Sequence, residues 1–169
     1  MDNQQERLEF EIGWLMGVWE SEGWYSLRSC FLDGDRLQRY RPEIGITNTD
    51  SVFLEKVESI LRKLNLPFWR TKWSPETKKR PRSMIKIDGV RRCKKFIDRL
   101  FPYAVTKRDR LTILKEFIDY RLSLNIRAPY GKKEHTWYQQ LRLLNAPLSQ
   151  HSKILNDYTP NTEKRDDIV

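Results

Sequence analysis

Two glutamates separated by a single residue are the side chains of this sequence best suited to metal-assisted chemistry. Glu20 and Glu22 stand near the end of residues 15–23, which read LMGVWESEG. Carboxylates are hard oxygen ligands of the kind that Mg²⁺ binds, and a bound Mg²⁺ can bridge a phosphate, a water molecule and a leaving oxygen. An amphipathic helix ending in Glu-Ser-Glu-Gly is nevertheless common, so the surrounding elements decide between a reactive site and an ordinary helix end.

Other metal and nuclease chemistries find little support in the sequence. The two cysteines, Cys30 and Cys93, and the two histidines, His135 and His151, are too few and too scattered for a zinc cluster or a disulfide framework. Histidines this far apart also do not make a histidine-based nuclease site. Residues 76–78, Glu-Thr-Lys, lie in a turn flanked by prolines, unlike a buried catalytic strand.

The charge of the chain indicates a polyanionic partner. The formal net charge is +9 across 169 residues. Between Arg70 and Arg110 there are 15 basic and 4 acidic residues, whereas the rest of the chain has 17 basic and 19 acidic residues. A basic segment of this kind favours nucleic acid, and a solvated charged face is the plainer alternative.

The N-terminal residues predict an intracellular protein of a reducing compartment. They read MDNQQERLEFE, polar and acidic where a secretory signal is basic and then apolar, and no apolar run approaches membrane-spanning length. We therefore expect no membrane partner and no secretion. The expected location is the cytoplasm or nucleoid, or an organelle in a eukaryotic host.

The spacing of apolar residues predicts the element order αββαββααα within one domain, residues 1–156, followed by a flexible tail at 157–169. The first helix covers residues 5–22 and stops at Gly23. The next helix, capped by Thr49 or Asp50, runs to Leu64. Strands are predicted at 24–31, 37–47, 68–74 and 82–87, with turns at 33–35 and 75–81, and three last helices at 90–101, 106–125 and 133–145.

Alternation along the four strands predicts a sheet with one apolar and one polar face. The residues predicted on the polar face are Trp24, Ser26, Arg28, Arg39, Arg41, Glu43, Arg70, Lys72, Arg82, Met84 and Lys86. Such a ribbon fits the major groove of double-stranded DNA, where arginine reads guanine and glutamate can accept from cytosine. Lys79, in the turn at 75–81, is expected to contact phosphate. A solvated strand face is the alternative for any single position.

Residues 15–23 resemble the LAGLIDADG signature of homing endonucleases, with glutamates in place of the nominal aspartates. The αββαββ order is the core of that family. Three further segments look like its homodimeric, intron-encoded branch: IGITNT at 44–49, LFPY at 100–103 with Lys107 five residues after the proline, and Thr136-Trp137 with Leu144-Asn145 in the last helix.

This resemblance implies a mixed α/β fold whose antiparallel sheet forms a DNA-binding saddle. It further implies a homodimer that binds a long pseudo-palindromic DNA site, hydrolyses both strands with a divalent metal and leaves 3′ overhangs. The implied metal is Mg²⁺, or another divalent cation such as Mn²⁺ or Ca²⁺.

The resemblance also assigns roles to single residues. Carried over by position, Glu22 is a metal ligand and the backbone carbonyl of Ser21 is a second one. Asn48 stands where the family orders the attacking water, and a turn or N-cap role is its alternative. Lys107 stands where a basic residue stabilises the transition state or lowers the pKa of water, and plain phosphate binding is its alternative.

The first helix carries the expected dimer contact. Gly13 and Gly17 lie four residues apart on one face, with Met16 and Glu20 beside them, and a structural role is the alternative for Glu20. A glycine inside a helix costs about 1 kcal/mol relative to alanine, so close approach of another backbone is expected there. In the family this face packs against the second copy; the alternative is that the glycines pack on their own sheet.

A non-cutting nucleic-acid binder on the same scaffold is the competing function. Such a protein is a splicing maturase, with the host intron RNA as its partner, or a transcription regulator. The presence of Glu22, Asn48 and Lys107 favours cutting, whereas the absence of the nominal aspartates leaves room for the alternative.

Overall fold

The elements follow the predicted order, with two short 3₁₀ helices added. The computed structural model describes residues 3–31, 38–73 and 82–151, so the predicted turns, Lys79 and the tail at 157–169 lie outside the described residues. The helices and strands are α1 (Asn3–Glu22), β1 (Gly23–Phe31), β2 (Gln38–Asn48), α2 (Ser51–Lys63), β3 (Trp69–Trp73), β4 (Arg82–Asp88), α3 (Val90–Leu100), α4 (Arg108–Ser123) and α5 (Lys132–Asn145), with 3₁₀ turns at Phe101–Tyr103 and Leu148–Gln150.

The four strands form one antiparallel sheet in the order β1-β2-β4-β3. Its apolar side faces the helices and contributes buried residues from three strands: Tyr25, Leu27, Tyr40, Ile44, Ile46, Ile85 and Ile87. The predicted mixed α/β fold with an antiparallel sheet is confirmed. No helix in the described ranges is long and apolar enough to cross a membrane.

Helix α1 buries one side and exposes the other. Ile12, Leu15, Met16 and Trp19 are at most 2% exposed and recur at the three- and four-residue steps of a helix. Strand β1 begins at Gly23, directly after the helix, and a Cβ at this position would lie 2.3 Å from the Trp19 ring. This position therefore requires glycine, and the chain turns directly from helix into strand.

Helices α2 and α5 are fixed by polar contacts in addition to packing. Asp50, one of the two predicted caps, is the N-cap of α2 and accepts from the N–H groups of Val52 at 2.8 Å and Phe53 at 3.1 Å. At the other side of the molecule, the buried Arg121 guanidinium of α4 donates to the Glu134 carboxylate of α5 at 2.9 Å. The first contact fixes the start of α2, and the second joins α4 to α5.

Candidate cutting centre and nucleic-acid interface

The end of α1 and the start of α4 are joined by a reciprocal set of hydrogen bonds. The Glu20 carboxylate accepts from the backbone N–H and hydroxyl of Thr106, and from the backbone N–H of Lys107 at 2.9 Å. In return the Lys107 ammonium donates to the carbonyls of Trp19 at 3.1 Å and Gly23 at 2.5 Å. A cation at a helix C-terminus also complements the helix dipole. We call this pairing of Glu20 with Thr106 and Lys107 the α1–α4 clamp.

The clamp perturbs both of its ionisable groups. Burial lowers the pKa of Lys107, and repulsion by Arg110 lowers it further, while Glu20 and Glu22 act in the opposite direction. Burial alone would raise the pKa of Glu20, but the hydrogen bonds from Thr106 and Lys107 outweigh it and lower the pKa. An ionised Glu20 is therefore the form that the fold stabilises.

Glu22 is the free carboxylate of this region. It is exposed, and within the described ranges its side chain takes part in no hydrogen bond or ion pair. The neighbouring Ser21 carbonyl lies 3.5 Å from the Lys107 ammonium. The described residues hold no group of three or more His, Cys, Asp or Glu side chains placed to bind a metal. One free carboxylate nevertheless fits Mg²⁺, which keeps several waters and binds through one or two carboxylates plus phosphate oxygens.

Asn48 performs the turn role that was its alternative interpretation. Its side-chain oxygen accepts from the backbone N–H of Asp50 at 2.9 Å, just before α2 begins. Because Gly23 pairs with Ile46, the end of β2 lies beside the end of α1. The structure therefore brings this segment near Glu22, and the ordering of an attacking water by Asn48 stays a prediction.

The polar side of the sheet is defined by its cross-strand register. Three rows run across it: Arg28 opposite Arg41; Ser26, Glu43 and Asp88; and Trp24, Gly45, Lys86 and Trp69. Nine of the predicted residues belong to this side of the sheet: Trp24, Ser26, Arg28, Arg39, Arg41, Glu43, Arg82, Met84 and Lys86. Glu43 is only 7% exposed, so it does not project as the predicted cytosine acceptor would.

The prediction that Arg70 and Lys72 lie on the polar side is wrong. Arg70 pairs with the buried Ile85, and its guanidinium donates to Glu58 of α2 at 3.0 Å on the helix side. Lys72 pairs with Ser83, so its backbone position belongs to the same side of the sheet as that of Arg70. The positions of Trp69 and Thr71 lie on the polar side of β3 instead, because the pairing with β4 decides which residues of this short strand belong to each side of the sheet.

Of the four predicted dimer residues, Met16 is misplaced, whereas Glu20 has the structural role that was its alternative interpretation. Met16 is 1% exposed and belongs to the core, and Glu20 is engaged by Thr106 and Lys107 of its own chain. A Cβ added at Gly13 or Gly17 would meet nothing within 4 Å, so the alternative in which these glycines pack on their own sheet is wrong for the described residues. The open side of α1 includes Phe10, Gly13 and Gly17, with Glu6 one helical turn before Phe10.

The sequence-based prediction of the polar side missed three residues that contact one another there: Asp88, Arg92 and Trp69. Asp88 is the last residue of β4, one beyond the predicted strand end, and Arg92 follows one helical turn later in α3. The Arg92 guanidinium lies 5.2 Å from the centre of the Trp69 ring, which is 54% exposed. Continuing the alternation of Met84 and Lys86 by two residues would have found Asp88.

Comparison with solved structures identifies the fold. Neither a family model nor a curated protein matches the sequence. The homing endonuclease I-CvuI, in complex with the I-CreI target in the presence of Mg, is 16% identical with a TM-score of 0.56, and the match covers 94% of this chain and 87% of that chain. The archaeal intron-encoded homing endonuclease I-Vdi141I, complexed with DNA, is 16% identical with a TM-score of 0.57, over 94% and 90% of the two chains.

A third similar structure is longer. The LAGLIDADG homing endonuclease I-GzeII, in complex with its DNA target, is 16% identical with a TM-score of 0.59, and the match covers 87% of this chain but 48% of that chain. This chain therefore has the LAGLIDADG homing-endonuclease fold, as the sequence resemblance implied.

Proposed function

We propose that this chain is a site-specific, metal-dependent DNA endonuclease of the single-motif LAGLIDADG type, acting as a homodimer. The observation that carries the proposal is the α1–α4 clamp, which holds the Lys107 ammonium at the end of α1 beside the exposed carboxylate of Glu22. This pair lies where the polar side of the sheet begins, at Gly23. A carboxylate and an ammonium at one end of a basic surface suit hydrolysis of a bound phosphodiester.

Each residue of this centre has a definite task in the proposed reaction. Glu22, with the Ser21 carbonyl, would hold the divalent cation, Mg²⁺ or a substitute such as Mn²⁺ or Ca²⁺. The bound ion supplies Lewis-acid stabilisation of the phosphate charge. The Lys107 ammonium would place its positive charge close to a phosphate bound at Glu22, and electrostatic stabilisation of this kind contributes most where negative charge develops. Glu20 keeps Lys107 in place from the other side of the α4 N-terminus.

The polar side of the sheet suits the major groove of duplex DNA. Strand β1 is nine residues long, which at about 3.3 Å per residue is roughly 30 Å and matches about nine base pairs at about 3.4 Å each. The exposed Arg28, Arg39, Arg41 and Arg82 supply donors for guanine or phosphate on this surface. Two copies would read a long pseudo-palindromic site and leave the 3′ overhangs that the family resemblance implies.

Assembly through α1 would complete the centre. Among the described residues, each chain offers one free carboxylate of this kind, whereas a duplex has two strands to cut. Phe10 is 74% exposed, and Gly13 and Gly17 leave the helix backbone open next to it. This open side fits the same surface of a second copy, and a two-fold contact there would bring both Glu22 residues toward the two scissile phosphates.

The test is cleavage of a duplex selected from a randomised library, with Mg²⁺, by the parent and by Glu22→Gln. We expect cleavage to fall by several orders of magnitude while DNA affinity stays within about tenfold, or about 1.4 kcal/mol. Glu55→Gln, an exposed acid of α2 outside the proposed cutting centre and dimer surface, is the matched control and should cut as the parent does. A Glu22→Gln protein that cuts at the parental rate removes Glu22 from the centre. A parent that binds one sequence tightly and never cuts would favour the maturase or regulator function instead.

A further inference from the structure

Two carboxylates lie in the middle of the surface that the proposed function assigns to DNA. Glu43 of β2 and Asp88 of β4 are direct cross-strand partners on the polar side of the sheet. They are only 7% and 6% exposed, although they lie on the side opposite the helical layer. An acid facing a polyanion is unfavourable unless it has another task, and burial of an ionised group is costly unless cations pair with it.

Four cations surround the two carboxylates. Asp88 is the centre of the set, since one of its oxygens lies 2.8 Å from Arg41 and the other 3.2 Å from Arg92. The remaining contacts are Lys86 to Glu43 at 3.3 Å, Lys86 to Asp88 at 3.6 Å, and Arg28 to Glu43 at 3.9 Å. The cluster therefore keeps a net positive charge while the direction of each cation is constrained.

The constraint matters because the cations would otherwise repel one another. Arg28 and Arg41 are directly opposite each other on neighbouring strands, an unfavourable arrangement for like charges. Asp88 draws the Arg41 guanidinium toward β4, away from Arg28, and leaves its side chain 52% exposed. Through Arg92, whose guanidinium lies over the exposed Trp69 ring, the same carboxylate connects β2, α3 and the edge strand β3.

We propose that Asp88, supported by Glu43, is a specificity-positioning residue that fixes the directions of Arg41 and Lys86 on the DNA-binding side at the expense of overall affinity. Base recognition requires donors held at defined angles to the base edges. A cation without such a restraint contacts the nearest phosphate, which adds affinity without sequence information. This inference rests on the proposed DNA-binding function and concerns how the protein chooses its site.

The experiment uses Asp88→Asn, which keeps the size of the side chain and removes its charge. We expect binding to random duplex to become tighter and more steeply dependent on salt. The slope of the logarithm of the binding constant against the logarithm of the salt concentration should steepen by about one unit for each additional phosphate that a released cation neutralises. Discrimination between the selected site and random duplex should fall by about tenfold or more, with the change confined to the base pairs that Arg41 and Lys86 face. All binding is measured without a cleavage-supporting metal.

Asp98→Asn is the matched control for charge. Asp98 is an exposed acid of α3 that pairs with Lys94 of the same helix, and neither residue contacts the cluster around Asp88. The substitution changes the net charge by the same amount and should leave discrimination unchanged. If Asp98→Asn lowers discrimination as much as Asp88→Asn, the effect is one of net charge and the proposal is overturned.

Further outcomes separate this proposal from the proposed function. If Asp88→Asn unfolds, Glu43→Gln replaces it, and unchanged discrimination in the folded variant overturns the proposal. A parent that prefers one sequence without cutting it contradicts the endonuclease function, and a loss of preference in Asp88→Asn then still supports the positioning role. A parent without any sequence preference overturns both.

Discussion

Glu20→Gln tests the α1–α4 clamp. The carboxylate oxygen that accepts from Thr106 and Lys107 would become a neutral amide oxygen. Hydrogen bonds to a charged partner are roughly twice as strong as neutral ones, so the three bonds together lose about 2 kcal/mol, after allowance for partial exposure. The other Glu20 oxygen is buried, and replacing this acceptor by an NH₂ group would bury two hydrogen-bond donors in its place.

The two effects combine to a loss of about 2 to 4 kcal/mol in the free energy of unfolding. For a domain of this size, that lowers the melting temperature by roughly 5 to 15 °C. DNA cleavage should also fall by at least about tenfold below that temperature, because the backbone of Lys107 is held less firmly at the end of α1. Glu9→Gln is the control, since Glu9 is an exposed acid of the same helix that accepts a single bond, from Tyr103.

The pH dependence gives a sharper check of the same substitution. The folded pKa of Glu20 lies below its ordinary value of 4.5. Its contribution to stability is therefore fully present above that value and is lost as the pH falls through the folded pKa. The difference in unfolding free energy between the parent and Glu20→Gln should shrink on acidification from about pH 7 to below about pH 4. A difference that is the same at both pH values, or one below about 0.5 kcal/mol at neutral pH, would refute the reasoning.

Two glycine substitutions test the proposed interfaces. A Cβ at Gly17 would meet no atom within 4 Å, and leucine is a better helix former than glycine by about 1 kcal/mol. The Gly17→Leu chain should therefore stay folded but sediment as a monomer. A dimer that persists in this variant would exclude this surface as the contact. Gly45→Ala would place its Cβ 2.4 Å from the Trp24 ring, so we expect the ring to be displaced. The free energy of unfolding in urea should fall by about 1 to 3 kcal/mol, and the sequence preference at the nearby base pairs should change. A variant with the stability and the preference of the parent would contradict that packing.

Local patterns predicted the fold well because each long helix or strand has a buried apolar side and an exposed polar side that can be recognised within its own sequence. Helix α1 ends at Glu22 as predicted, since Gly23 is a local signal that needs no knowledge of the rest of the chain. The same holds for β2, where Tyr40, Ile44 and Ile46 are buried and Arg39 and Arg41 are exposed. The juxtaposition of Glu22 with Lys107 was predictable only from the family resemblance, because 84 residues of sequence separate them.

Errors arose where a position depends on distant partners. Strand β3 alternates basic residues with aromatic ones, so either set could face the polar side, and only its pairing with β4 settles the choice against Arg70. Met16 lies between the open side of α1 and the stripe of Leu15 and Trp19, and the packing of the whole core draws it inward. The task of Glu20 was hidden for the same reason, since Thr106 joins it only in three dimensions.

The proposed cutting centre and the proposed recognition surface share no polar contact among the described residues. Among the described residues, no hydrogen bond or ion pair joins the α1–α4 clamp to the cluster around Asp88. Substitutions of Arg28, Arg41 or Lys86 therefore leave the partners of Lys107 untouched. If the proposed roles hold, such a protein could change its target sequence through substitutions in the sheet alone while its cutting centre is inherited intact. Two differently substituted copies could then be paired on an asymmetric target.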